Sequence, residues 1–422
     1  MRVITERMQN VRSVALGFWI GTGSAMESED QAGLSHLLEH MLFRGTDSYR
    51  SEEIDQIFDA MGAEINAGTD RETTSLYTRV LDRHLERALH VMGEMLWKPR
   101  FEDLAAEREV VLEEIAMYED DPQDRVFDVL GEAVFGDHPL GRAVIGRAEV
   151  VRKVELEGLR AFHAEHYRLP SIVVAAAGSV EHDELVRMVR DATPSSSLSA
   201  TSKTPQIDAD GDGGGDGWDT HFKRRVRFLR KDTEQYHVCL GGRGLARHDE
   251  RRFALRVMEG VLGGTSSSRL FQEVREKRGL AYSVFSFSNL HAHTGEVGLY
   301  VGTRPDNLAE AIATIASELE RFVEEPASEQ ELTRSRENVK GRVVLSLEST
   351  AARMSRLGSS VLSELPILSV DEIIDRIDAV QLSDLRELAG ELFACERLSV
   401  AGVGSDKGTF DEALRPLEGV AS

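Results

Sequence analysis

Residues 33–46 read GLSHLLEHMLFRGT, and the side chains there that could do chemistry are His36, Glu39 and His40. On a helix, positions i, i+3 and i+4 share a face, so two imidazoles and a carboxylate converge over one turn. Two imidazoles so placed can hold one metal ion, and a glutamate between them can reach the water that the ion binds. The plainer alternative is a pair of hydrogen-bonded core histidines. With only 13 histidines in 422 residues, a chance H-x-x-E-H is uncommon, which favours the metal. A zinc site of this kind leaves one position for water and needs a third protein ligand.

The stretch EREVVLEEIAMYEDDP at 107–122 offers carboxylates for that purpose. Glu107 and Glu114 are seven apart, two turns along one helix face, and Val110, Val111 and Leu112 are expected to supply its packing. Glu109 and Glu113 compete for the role, and the whole run also reads as a solvated acidic face.

The elements that must position these groups recur along the chain. Residues 193–220, TPSSSLSATSKTPQIDADGDGGGDGWDT, have no apolar periodicity and read as an acidic, exposed linker between two halves. Within it Asp208, Asp210, Asp212 and Gly213 match part of a calcium loop, but Asp219 replaces the closing glutamate and Gly215 the apolar position. A flexible linker is the better reading. Strand-like runs fall at 14–23 and 172–180 in the first half, and at 238–246 and 398–406 in the second. Helical spacing joins Ile54, Ile57, Phe58 and Met61, and again Leu255, Met258 and Leu262. Further strands are expected at 75–80 and 295–303. The fold class is therefore α+β, two duplicated domains of a sheet packed on helices, over 1–192 and 221–422. In the second, FALRVMEG stands where the first has its metal motif.

The net charge of −23 excludes a strongly basic nucleic-acid surface and favours basic ligands, including basic peptides. Cys239 and Cys395 suggest neither a disulfide framework nor a thiolate zinc site, and point to a reducing compartment. No apolar run approaches membrane-spanning length and the N-terminus is not a signal peptide, so no membrane association and a cytoplasmic location are expected.

With these residues in view, the sequence resembles the inverted-motif zinc peptidases of the pitrilysin class, whose signature is an H-x-x-E-H helix with a distant glutamate. It is most similar to the half-length, processing-peptidase-like subfamily and its M16B-like bacterial members. The resemblance covers nearly the whole chain. It is specific in GLSHLLEHMLFRGT, MGAEINAGTDRETTSLYTRV at 61–80, AEREVVLEEIAMYEDDP, and FGDHPLGRAVIG at 135–146. It implies one Zn2+ on His36, His40 and Glu114, with Glu107 as the family's second acid near the metal. Glu39 would act as general base. Arg275 and Tyr282, within SSSRLFQEVREKRGLAYSVFS at 266–286, would engage the substrate, the tyrosine at the oxyanion. Asn66 and Ala67 would lie on an edge strand that pairs with an extended peptide.

The resemblance implies an endopeptidase acting on peptides or unfolded segments in a chamber built from two chains. That would be a homodimer, or a heterodimer in which this is the metal-bearing partner. The rival is a non-catalytic peptide-binding or scaffold subunit. His163 and His166 in HAEHY read as structural, and GVLGGTSSSRLF at 260–271 as a helix end rather than a phosphate loop. The chain opens at MRVITERM, where family members generally carry several more residues before the first strand.

Overall fold

The computed structural model describes residues 1–194 and 223–418, so the acidic calcium-like stretch 208–219 and nearly all of the expected linker lie outside it. The chain forms two compact units. The first holds Met1–Ala116, the described part of Arg142–Asp208, and Leu345–Ile367. The second holds Met117–Gly141, the described part of Ala209–Val344, and the described part of Leu368–Ser422.

Strands β1 (Arg2–Arg7), β2 (Ser13–Ile20), β3 (Glu64–Thr69), β4 (Thr74–Leu81) and β5 (Ile172–Gly178) make the first sheet, ordered β1-β5-β2-β4-β3. Strand β1 runs parallel to β5, and the other pairings are antiparallel. The second sheet repeats this with β6 (Val226–Arg230), β7 (Tyr236–Gly244), β8 (Ala281–Leu290), β9 (Gly295–Thr303) and β10 (Ser399–Gly404), ordered β6-β10-β7-β9-β8. Again the first strand is parallel to the last. The two-fold α+β fold expected from the sequence is therefore present.

Helices of the first half are α1 (Leu34–Met41), α2 (Ser51–Met61), α3 (Leu85–Trp97), α4 (Leu104–Asp120), α5 (Pro122–Phe135), α6 (Ala148–Val151), α7 (Leu156–His166) and α8 (His182–Ala192). Those of the second are α9 (Arg252–Leu262), α10 (Leu308–Glu324), α11 (Glu329–Ser346), α12 (Thr350–Leu362), α13 (Val370–Asp378), α14 (Leu382–Leu392), α15 (Lys407–Ala413) and α16 (Arg415–Glu418). Two of them change sides. Helix α5 belongs to the second unit and α12 to the first, so the units are not the two halves of the sequence.

The strand patterns show why. On β2, Val14, Leu16, Phe18 and Ile20 point into the main core, where α1, α3 and α7 pack. The alternate residue Ala15 joins Ala175 and Ala177 of β5 against Met354 and Leu357 of α12, with Trp19 at the margin. Small residues let this helix approach closely. A side chain at Gly17 would lie 2.7 Å from Met354 Sδ, and one at Gly358 would lie 2.1 Å from Trp19 Nε1. Both faces of β5 are covered, which is why IVVAAAG is buried throughout. In each unit an arginine from the edge of the sheet anchors the borrowed helix. Arg2 donates to the Val361 carbonyl of α12 (2.7 Å), and Arg225, just before β6, donates to the Ala133 carbonyl of α5 (2.9 Å). Among the described residues no helix is long and apolar enough to cross a membrane.

Candidate metal centre

Helix α1 is amphipathic in the sense the motif requires. Leu34, Leu37, Leu38 and Met41 are buried in the core, leaving His36, Glu39 and His40 on the other side. Its N-terminus is held by a residue that the motif does not contain. The carboxylate of Glu27 accepts the backbone N–H groups of Gly33 (2.9 Å) and Ser35 (2.6 Å), donors that a helix start leaves without partners. Burial pushes Glu27 up to about 7, against the pull of those hydrogen bonds and of Arg142.

The FGDHPLGRAVIG segment completes this support. Arg142 donates to the Glu27 carbonyl and to Glu29. Gly33 and Gly146 both have left-handed backbones, and a Cβ on Gly146 would lie 2.1 Å from Gly33 Cα. Only glycine allows the two backbone segments to touch there.

Helix α4 brings the acids. Two non-glycine residues with positive φ, Phe101 and Asp103, turn the chain into it. Val111 and Ile115 are buried beside Glu107, whereas Val110, expected in the packing, is 49% exposed. Glu114 faces both histidines. Its Oε2 lies 3.5 Å from His36 Nε2 and 3.3 Å from His40 Nε2. Glu107 is 4% exposed and accepts from His40 Nδ1 at 2.8 Å, with Arg44 on its other oxygen. Glu109 and Glu113 do not join the group that could hold a metal; among the described residues that group is His36, His40 and Glu114.

These atoms suit a zinc ion. A carboxylate only accepts, so the Glu107 contact puts the hydrogen of His40 on Nδ1 and leaves the Nε2 lone pair toward Glu114. Burial, and then the neighbouring His40, hold His36 down at about 4, so it is neutral at pH 7. Lone pairs of two imidazoles and a carboxylate thus face one another, an arrangement that a cation resolves. Donors about 2.1 Å from a tetrahedral zinc are separated by about 3.4 Å, which matches the two measured distances. His36 Nδ1 is buried without a hydrogen-bond partner, so its ring lacks the outer support that Glu107 gives His40.

Glu39 is held by the Thr69 hydroxyl of β3 at 2.6 Å, and burial raises its pKa. A cavity of about 340 Å3 opens beside it, lined by Glu39, His40, Phe43, Arg44, Ser51, Asp55, Asn66, Ala67 and Glu107. Asn66 and Ala67 lie on β3, the outermost strand of the sheet. The Ala67 N–H, expected to be open to a peptide, donates to the Asn66 side chain (2.9 Å).

Arg275 and Tyr282 come together in the second unit. Arg275 lies in the last part of a π-helical turn, Phe271–Glu276, a form often found at functional sites. Its guanidinium lies 4.3 Å from the Tyr282 ring centroid and donates to the Tyr282 carbonyl at 3.1 Å. Tyr282 is 78% exposed, and the Arg275 guanidinium also lies 4.7 Å from the Phe271 ring centroid. His163 and His166 have structural partners: the first bonds the Leu96 carbonyl and the second packs on Phe162. The glycine-rich run ends α9, with the Gly264 N–H closing on the Glu259 carbonyl. Sequence reasoning missed Glu27, Arg44 and Thr69. Arg44 and Thr69 stand inside the runs 33–46 and 61–80, where nothing in the spacing gives them a role, and Glu27 lies outside both.

Comparison with known proteins gives a consistent result. Residues 2–148 match the family model described as insulinase (peptidase family M16), and residues 153–339 match the one described as the peptidase M16 inactive domain. An uncharacterized zinc protease of Streptomyces coelicolor is 41% identical, covering 96% of this chain and 88% of its own. One of Bacillus subtilis is 38% identical, covering 93% of each. Two solved structures share the fold. A peptidase M16 inactive domain from Pseudomonas fluorescens has a TM-score of 0.85 at 21% identity, covering 96% of this chain and 95% of its own. A protease from Helicobacter pylori has a TM-score of 0.87 at 20% identity, covering 95% and 96%.

Proposed function

Since the chain belongs to peptidase family M16, we propose that it is a zinc-dependent endopeptidase of the inverted-motif, processing-peptidase-like branch. The observation that carries this is the convergence of His36, His40 and Glu114 at tetrahedral donor spacing, with Glu39 on the same helical turn. Those three residues would hold the ion, one per chain. When bound, zinc supplies a Lewis acid that lowers the pKa of water toward about 7.

The chain's own groups do the rest. Glu39 takes the proton of the attacking water and returns it to the leaving amine. Thr69 holds one of its oxygens, which keeps the other aimed at the reacting atoms. Glu107 fixes the His40 tautomer, and Arg44 pairs with the other oxygen of Glu107. The hydroxyl of Tyr282 donates to the oxyanion, while Arg275 engages substrate backbone. Strand β3, with Asn66 and Ala67, pairs with an extended peptide or unfolded segment, and the cavity beside Glu39 admits a side chain.

One chain carries both the metal residues and the Arg275/Tyr282 pair. The working assembly is therefore a homodimer whose two copies form the chamber, with a related partner chain as the alternative. The charge of −23 favours basic substrates. The two cysteines are unpaired and buried, which fits a reducing, cytoplasmic setting.

Cleavage of a short, basic, internally quenched peptide by the purified chain, with Glu39→Gln as control, tests the reading. Zinc retained and hydrolysis lost in the variant is the expected result. Equal rates in both proteins would sink the mechanism. A zinc-loaded wild type that leaves the peptide intact would favour the heterodimer or a peptide-binding subunit.

A further inference from the structure

Arg275 carries the donors to grip a peptide backbone, but its polar contacts do little to hold it still. Its side chain is 32% exposed, and its Nε lies 3.7 Å from Glu276 Oε1, an acid that is itself half exposed. A long, solvated pair of this kind fixes an arginine weakly. Among the described residues the guanidinium makes one hydrogen bond, from Nη1 to the Tyr282 carbonyl at 3.1 Å. The rest of the fork stays available to a ligand. A group that is to meet substrate in a productive geometry must nevertheless be presented in one orientation.

Aromatic rings supply what the polar contacts do not. The guanidinium carbon lies 4.3 Å from the Tyr282 ring centroid and 4.7 Å from that of Phe271, both within the range of a cation–π contact. The two rings are anchored very differently. Tyr282 is 78% exposed, so little packing braces the pair from its side. Phe271 is half-buried and opens a turn that is pinned throughout. Leu270 and Val274 beside it are fully buried. The Lys277 N–H reaches the Gln272 carbonyl five residues back at 2.9 Å, the widened repeat of a π-helix. Buried Glu273 pairs with Lys277 and Arg278. Gly279, at φ +63°, turns the chain so that its N–H closes on the Arg275 carbonyl at 3.0 Å. The backbone of Arg275 is thus set by the turn, and the anchored group that meets its guanidinium is the Phe271 ring, four residues earlier.

We propose that Phe271 is a positioning residue for peptide hydrolysis: its ring holds the Arg275 guanidinium, and through it the Tyr282 ring, ready for substrate. This rests on the peptidase reading for the task of Arg275 and Tyr282, and adds the residue that prepares them.

The test measures kcat and KM of the full chain on the quenched basic peptide. Phe271→Leu and Phe271→Met fill most of the space without a ring, so one can stand in where the other misfolds, and Phe271→Tyr keeps the ring. The ringless variants should lower kcat/KM by about three- to ten-fold, mainly through KM because Arg275 engages substrate backbone, while Phe271→Tyr stays within about two-fold. Combined with Arg275→Gln, the same ringless changes should cost less than about two-fold, because the ring acts through the guanidinium. Equal losses with and without Arg275, or a loss in Phe271→Tyr as large as in Phe271→Leu, overturn the proposal and make Phe271 a folding residue. The Arg275 Nε–H resonance, identified by its absence in Arg275→Gln, reports the contact without any turnover. It should move in Phe271→Leu and keep its place in Phe271→Tyr, and an unmoved resonance in Phe271→Leu overturns the proposal. An active wild type with unaltered kinetics in the ringless variants sinks this proposal alone, whereas a wild type that cleaves nothing sinks the peptidase reading and this proposal with it.

Discussion

Glu107→Gln should cost zinc affinity without removing a single ligand. The carboxylate is 4% exposed and 2.8 Å from His40 Nδ1, so its charge acts on the ring through little solvent. Glutamine matches its shape and can still accept from Nδ1 through the amide oxygen, but it no longer makes the imidazole more basic. Loss of such an outer partner typically lowers metal affinity by about 10- to 100-fold, or about 1.4–2.7 kcal/mol. Arg44 loses its partner too. Because its side chain is 36% exposed, it can turn to water, and the zinc-free protein should melt within a few degrees of wild type. Competition against a chromophoric chelator at pH 7.5 measures the affinity, and thermal unfolding of the zinc-free forms controls for misfolding. A variant that binds zinc within two-fold of wild type would refute the assignment of His40 Nε2 as a ligand oriented through Nδ1. Equal losses of affinity and of zinc-free stability would instead make Glu107 a folding residue.

Tyr282→Phe keeps the ring against Arg275 and removes only the hydroxyl, so kcat should fall by about 100- to 1000-fold with zinc affinity unchanged; an unaltered kcat would remove Tyr282 from the chemistry. The pKa of Glu27 is raised from 4.5 to about 7 in the folded chain, so between those values the folded state alone keeps the proton. Stability from this group is then fully present below pH 4.5 and falls as pH rises toward 7, by up to about 1.4 kcal/mol per pH unit. Urea unfolding at pH 5 and 7.5 should show that slope in wild type and not in Glu27→Gln, and parallel lines would contradict the shift. Gly146→Ala forces a side chain onto the backbone of Gly33 in a left-handed conformation, which should destabilise the fold by about 2–4 kcal/mol and loosen zinc with it; denaturant midpoints near wild type would show that the contact yields easily.

How much of this could be read from the residues depended on range. Strand 295–303 was placed to the residue, and the runs at 14–23 and 172–180 overlapped β2 and β5, because alternation and β-branched content are local signals. The metal helix was equally local, since its chemistry repeats within one turn. The choice of Glu114 over Glu109 and Glu113 was not. Spacing left it open until the family resemblance settled an expectation, and only the folded chain shows Oε2 facing both rings. Glu27 was invisible for the same reason. A carboxylate six residues before Gly33 announces nothing until the backbone folds it under the start of α1. The crossing of α5 and α12 could not be read either. Their amphipathic patterns say that each buries a face, not which sheet covers it.

That crossing sets a timetable for synthesis. All five strands of the first sheet have been made once Gly178 emerges, yet the face bearing Ala15, Ala175 and Ala177 waits for Met354 and Leu357. Helix α12 ends at Leu362, 362 − 178 = 184 residues later. At ribosomal speeds of about 5–20 residues per second the wait is roughly 10–40 s. Through that interval the nascent first unit presents an uncovered apolar sheet face. The zinc helix packed on the other side of that sheet belongs to a domain that can close only when most of the chain has left the ribosome.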